Sequence, residues 1–155
     1  METSKKYFCQ TLLFLLVSTM AVPASGQDRI RLKDYQWKNR LILAFAPSLE
    51  DPGYKALEKE IVVQAEEIID RDLLIFHILE TGELKLGESS LQTGSGDYLR
   101  ERFSIRPGTF TVLLIGKDGG IKLRREGGVE LKEIFSLIDT MPMRQREMRE
   151  KSQQR

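Results

Sequence analysis

The chain has 155 residues, 41% of them apolar and 30% charged, which is enough for one hydrophobic core and too few for two ordinary domains. Lys and Arg number 24 against 23 Asp and Glu; with Lys5, Lys6 and Glu2 set aside as part of a leader, 22 of each sign remain. That balance removes the electrostatic case for non-specific nucleic-acid binding, and a lone cysteine, Cys9, leaves no disulfide framework to read.

Lys5 and Lys6 precede the apolar run Leu12-Leu-Phe-Leu-Leu-Val17, and the small-residue segment Ala21-Val-Pro-Ala-Ser-Gly26 follows it. That order predicts a signal peptide over residues 1–26, cleaved after Ala24 or Gly26. The run is too short to span a bilayer, so no integral membrane segment is expected after cleavage. Cys9 lies ahead of the apolar run, where it is badly placed for lipidation, and leaves with the leader. A periplasmic or secreted chain without thiol, disulfide or cysteine-ligated metal is the expectation.

Downstream, Arg40-Leu-Ile-Leu-Ala-Phe-Ala46 reads as a buried strand closed by Pro47. Asp51-Pro52 is a helix N-cap followed by the first helical position. Tyr54, Leu57, Ile61, Ala65 and Ile68 then recur at helical spacing, as one amphipathic helix. Leu73 to Leu79 is a second buried strand, parallel to the first with a helical crossover. Residues 80–96 turn rich in Gly, Ser and Thr, with only Leu84-Lys-Leu86 hinting at an extended piece, and are expected to form a variable loop.

Asp97 to Phe103 predicts a short helix, and Thr109–Ile115 with Ile121–Arg125 an antiparallel hairpin around Asp118-Gly-Gly120. Leu131, Ile134, Phe135, Ile138 and Met141 trace a last amphipathic helix, stopped at Pro142. The domain is thus expected over 27–143. A charged C-terminal tail, 144–155, carries no apolar stripe and is read as a frayed, solvated extension.

This order of elements is the core of a thioredoxin-like α/β fold: a central mixed sheet of about four strands with helices on both faces. A more specific resemblance lies in Asp34-Tyr-Gln-Trp-Lys-Asn-Arg40 running into Phe45-Ala-Pro-Ser48, and in Arg102-Phe103 before Pro107-Gly108. Thr111-Val-Leu-Leu-Ile-Gly-Lys-Asp-Gly-Gly120 and Asp139-Thr-Met-Pro-Met-Arg144 add to it. Over residues 31–149 the chain resembles an uncharacterised bacterial exported domain family, domain of unknown function 4174, also found in sushi-repeat-containing matrix proteins. The resemblance implies a thioredoxin-like domain with no established activity.

In that fold the chemistry sits where the first strand meets the first helix. Alignment on the dithiol signature puts Glu50 and Gly53 at the two cysteine positions, and alignment on the peroxiredoxin signature puts Tyr54 at the reactive cysteine and Asp51 at the threonine. Neither carries the sulfur that disulfide exchange or peroxide reduction needs. Thr111 stands where the fold usually has a cis-proline, and a cis bond at Pro107 is not expected.

Little other chemistry gathers. His77 is the only histidine and lies inside an apolar strand, which favours a hydrogen-bonded, half-buried side chain over a proton carrier or ligand. Glu66 and Asp70 share a helix face, without the oxygen-rich loop a calcium site requires. Arg102, Arg106, Lys117, Lys122, Arg124 and Arg125 form the best cationic grouping, with Arg106 near the rim of the fold's usual site. Tyr35 and Trp37 either seal the sheet edge or anchor a partner, including a second copy of the chain.

The sequence therefore predicts a non-catalytic binding module with no cofactor, metal or catalytic residue. Its candidate ligand or partner surface is Ser48, Glu50, Asp51, Tyr54, Arg102 and Arg106; its partner is an extracytoplasmic protein or a small anionic ligand, and not nucleic acid. The alternative is a thiol-independent enzyme acting on a small anionic or cell-envelope substrate, with Ser48, Glu50, Asp51 or Tyr54 reacting and Arg106 clamping the anion.

Overall fold

The computed structural model describes residues 30–87, 89–91 and 94–154. The leader read over 1–26, with Cys9 and both cleavage points, lies outside the described residues.

The sheet is built around β1, Arg40–Ala46, all seven residues of which are buried. An unbroken apolar run needs cover on both faces, and it has it. Ile42, Ala44 and Ala46 pack in one layer with Tyr54, Leu57, Ile68, Leu131, Ile134 and Ile138. Leu41, Leu43 and Phe45 pack in the other with Leu32, Leu99 and Ile105. The alternation is the two-residue period of a strand, and truncating a fully buried residue such as Leu43 to Ala would cost about 2–5 kcal/mol.

Strand β2, Leu73–Leu79, runs parallel to β1 from Arg40↔Leu73 to Ala46↔Leu79. The pair is connected by α1, Pro52–Val63, and α2, Ala65–Asp70. The cap read in the sequence is present: the Asp51 carboxylate accepts the Tyr54 N–H at 3.0 Å, and Pro52 is the first helical residue. The single helix expected over Tyr54 to Ile68 is interrupted at Gln64, where the backbone leaves helical geometry. The break follows Val62 and Val63, two β-branched residues that face solvent and contribute no packing to offset their lower helix propensity.

The sheet has six strands in the order β4-β3-β2-β1-β5-β6, wider than the sequence suggests. Part of the variable loop forms a second hairpin, β3 (Leu84–Leu86) and β4 (Ser89–Leu91), antiparallel to each other and hung on the edge of β2. Leu84 anchors it, fully buried among Phe76, Ile78 and Leu99. Helix α3, Ser95–Arg102, then packs beneath the β2–β3 turn. A methyl group at Gly96 would meet the Gly82 carbonyl oxygen at 2.7 Å, so glycine is needed there for the close approach.

On the other side, β5 (Thr111–Ile115) pairs antiparallel with β1, and β6 (Ile121–Glu126) pairs with β5 as the opposite edge. Helix α4, Leu131–Asp139, buries Leu131, Ile134, Phe135 and Ile138, the residues its periodicity identifies.

The extension from Arg144 is not frayed. Pro142–Gln153 forms helix α5, and Arg144 is buried. Arg144 donates to the Asp70 carbonyl at 2.7 Å and to Asp139 at 3.2 Å, and also pairs with the Asp70 carboxylate. Glu147 accepts from Arg40 at 3.1 and 3.2 Å and from Lys117 at 2.8 Å. Arg71 holds Asp139 in a two-bond fork, at 3.1 and 2.6 Å, over the Phe135 ring. A helix without an apolar stripe is thus seated by hydrogen-bonded charges, which an apolar pattern does not reveal.

Candidate functional site

The carboxyl end of β1 opens into the segment Pro47–Asp51 and the start of α1. Asp51 is spent on capping α1. Ser48 Oγ accepts the Glu50 N–H at 3.3 Å, and the Glu50 carboxylate is ion-paired with Lys55. These contacts fix the loop and leave Tyr54 as the first side chain of α1 to reach the sheet.

Tyr54 is buried, and its phenol oxygen lies 3.0 Å from His77 Nδ1 on β2. The rings meet edge to face, 5.6 Å between centroids, and Phe110 closes on the other side of Tyr54 at 6.4 Å. Burial first, and then the negative charge of the neighbouring Glu58 carboxylate, push the Tyr54 pKa far above its usual 10.0. The phenol keeps its proton at every physiological pH. His77 has the half-buried, hydrogen-bonded placement that its position in the strand predicts.

Gly53 occupies the second cysteine position of the dithiol alignment, and the Phe110 ring fills the space a side chain would use. A Cβ there would stand 2.6 Å from Phe110 Cδ1. Sulfur is absent from this place in the sequence, and the packing leaves no room for one to be added.

Beside α1 the added hairpin creates a wall. His77 pairs in register with Lys85, and Lys85 with Ser90, so one row crosses β2, β3 and β4. Between this row and α1 lies a cleft of about 680 Å³, lined by Leu49, Glu50, Tyr54, Glu58, Val62, His77 and Lys85 among others. Leu49 and Val62 are exposed on its rim.

Of the candidate residues, Glu50 and Tyr54 line the cleft, and Ser48 and Asp51 form the loop above it. Arg106 is at the same end of the sheet but paired with Glu126. Arg102 is elsewhere: it stands beside Asn39 and Gly116, at the start of β1 and the end of β5. The wider cationic grouping does not converge either. Lys117 goes to Asp72 and Glu147, Lys122 to Asp118, Arg125 to Glu133, and Arg124 donates to the carbonyls of Phe103 and Ser104. Tyr35 packs edge-on to Phe76, whereas Trp37 is 63% exposed.

One residue at this end escapes sequence reasoning. Arg100 on α3 donates to the carbonyls of Ala46 at 2.7 Å, Ile78 at 3.1 Å and Leu79 at 3.4 Å, tying the ends of β1 and β2 together. Its burial lowers its pKa from the usual value. An arginine in a polar helix carries no signal that it will seek main-chain oxygens.

Among the described residues no group of three or more His, Cys, Asp or Glu side chains is placed to hold a metal ion. No helix among them is long and apolar enough to cross a membrane.

A family model described as "Domain of unknown function (DUF4174)" matches residues 31–147. Coiled-coil domain-containing protein 80 of Danio rerio is 29% identical over 133 residues, covering 76% of this chain; the match spans 15% of that protein's length. Among solved structures, the reduced 2-Cys peroxiredoxin of Plasmodium vivax superposes with a TM-score of 0.58 at 10% identity, covering 76% of this chain and 85% of that one. At that identity the likeness is one of fold, and the fold is thioredoxin-like.

Proposed function

Since the chain belongs to the DUF4174 family, in a thioredoxin-like fold with no cysteine beyond Cys9, we propose that it is an exported, non-catalytic binding module. On this reading residues 1–26 are a cleaved leader and 27–143 the exported domain with its charged C-terminal extension. The cleft between α1 and the β3–β4 hairpin receives an extracytoplasmic protein or a small anionic ligand, with Lys55, Lys59 and Lys85 as the cations of its lining, Lys55 being paired with Glu50 and Lys85 with Glu83.

The observation that carries the proposal is the Tyr54–His77 hydrogen bond. A protonated phenol, hydrogen-bonded to an imidazole, stands at the position that aligns with the reactive sulfur of the peroxiredoxin signature. Such a pair can donate and accept hydrogen bonds, and it lacks the sulfur that disulfide exchange or peroxide reduction needs. The enzyme alternative finds little support in the same geometry: Asp51 caps a helix, Arg106 is occupied by Glu126, and Tyr54 holds its proton.

The test is to recover the protein from the exported fraction and identify its N-terminus and whatever it retains by mass spectrometry. An N-terminus at residue 25 or 27, and a bound species lost in Tyr54→Phe or Lys85→Met at unchanged melting temperature, support the reading. Reduction of insulin disulfides, turnover of peroxide, or a retained leader would overturn it.

A further inference from the structure

On the opposite face and the opposite end of the sheet from the Tyr54 cleft lies a second pocket, of about 280 Å³. It is enclosed by the short 3₁₀ helix Leu32–Tyr35, the last turn of α3 and the β5–β6 turn. Its deepest residues are apolar, the buried Leu32, Leu41 and Ile115 with Phe103 packed against them, and Gln36 and Asn39 add polar groups to the lining. Its rim carries Arg102 and Lys33.

Arg102 differs from most arginines of this protein. Arg31, Arg40, Arg71, Arg106, Arg124, Arg125 and Arg144 each have a carboxylate within 4.0 Å. Arg102 has none among the described residues. Its guanidinium instead donates to the Tyr98 hydroxyl at 3.4 Å and sits 5.5 Å from the centre of the Phe103 ring. Stacking on Phe103, which lines the pocket, and one hydrogen bond to Tyr98, which does not, hold the guanidinium without neutralising it. Lys33 likewise forms no ion pair among the described residues. The one acid in the lining, Asp118, is already bound by Lys122 at 2.6 Å and by the Gly120 N–H at 3.1 Å.

The pocket therefore combines an apolar floor with uncompensated positive charge at its mouth. We propose that it binds a small amphipathic carboxylate, with a single ring or a short acyl chain on the Leu32–Leu41–Ile115 floor and the carboxylate in the Arg102 fork. A volume at the lower edge of small-molecule sites limits the ligand to that size, and a charge-assisted two-bond contact with arginine supplies the selectivity for a carboxylate over its amide.

The experiment is a nitrogen-15 NMR titration of the full chain with benzoate and, separately, hexanoate, using benzamide and hexanamide as uncharged counterparts. The expected result is saturable shifts at the amides of Leu41, Phe103, Gly116 and Gly119 with at least one acid. Binding of the amides should be about tenfold weaker or worse, and added salt should weaken the acid alone. Arg102→Met should lose about tenfold and Arg102→Lys less, at unchanged melting temperature. If neither acid gives saturable shifts at those amides, if acid and amide bind alike, or if a folded Arg102→Met binds as wild type does, the proposal fails. The salt arm tests it even where a variant does not fold.

Discussion

Arg40, the first residue of β1, and Glu147, on the last helix, are joined by two hydrogen bonds across 107 positions of sequence. Arg40 is almost fully buried, and its other contact is the Arg71 carbonyl at 2.9 Å. Removing the carboxylate strands a guanidinium in the core, and breaking such a pair from one side costs about 3 kcal/mol. Glu147→Met should lower the urea midpoint accordingly, while the double variant Arg40→Met, Glu147→Met should recover part of the loss. Equal midpoints for wild type and Glu147→Met would show that the fork contributes nothing.

The same network sets an acid limit. Hydrogen bonds from Lys151, and then from Arg144 against an opposing effect of burial, bring Asp70 from 3.8 down to about 2. Burial works against the Glu147 charge as well, and hydrogen bonds from Lys117 and Arg40 outweigh it, so its pKa is also lowered. Each carboxyl binds its proton more weakly in the folded chain than in the unfolded one. The stability they contribute is complete above their ordinary titration range and is lost as the pH falls toward about 2. Urea midpoints measured from pH 5 downward should fall through that window, less steeply in Asp70→Asn.

At Gly53 the prediction concerns shape. A methyl group there would sit 2.6 Å from the Phe110 ring, which is itself buried against Tyr54. Gly53→Ala should lower stability by about 1–3 kcal/mol through overpacking. Gly53→Ala combined with Phe110→Leu should be more stable than the sum of the two single losses implies. Purely additive losses would mean that the ring is not the obstacle.

Tyr54 supplies a spectroscopic check. Because its pKa is raised in the folded state, the stability it contributes is present below about pH 10 and declines as the pH rises further. An ultraviolet titration of phenolate formation should show a tyrosine that ionises only on alkaline unfolding, and this component should vanish in Tyr54→Phe. Loss of the hydroxyl should cost about 1 kcal/mol. A complete phenolate signal in folded protein near pH 10 would contradict the packing described for Tyr54.

Much of the central fold can be read from the sequence, because it rests on local chemistry. Asp51-Pro52 announces the start of α1, the unbroken runs 40–46 and 73–79 announce buried strands, and α4 shows its buried face at helical spacing. The α5 seat is hidden because it is made of charge pairs between residues as distant as Asp70 and Lys151. The β3–β4 hairpin is hidden because three-residue strands in a Gly- and Ser-rich stretch carry almost no periodicity. At the site, Tyr54 is recognisable from its place before the first helix. Its pairing with His77 depends on the registry of α1 over β2, which no spacing specifies. Arg102 and Arg106 are four residues apart yet diverge: the chain leaves α3 through Ser104, at a φ of 49°, and carries Arg106 toward Glu126 at the end of β6.

The seating of α5 also bears on modularity. A fragment ending at residue 143 would release Asp70 from both its cations and leave Arg40 with only a main-chain oxygen. A piece transplanted into another polypeptide keeps these pairs only if it runs through Lys151, which favours a fusion joint beyond the helix over one at Pro142.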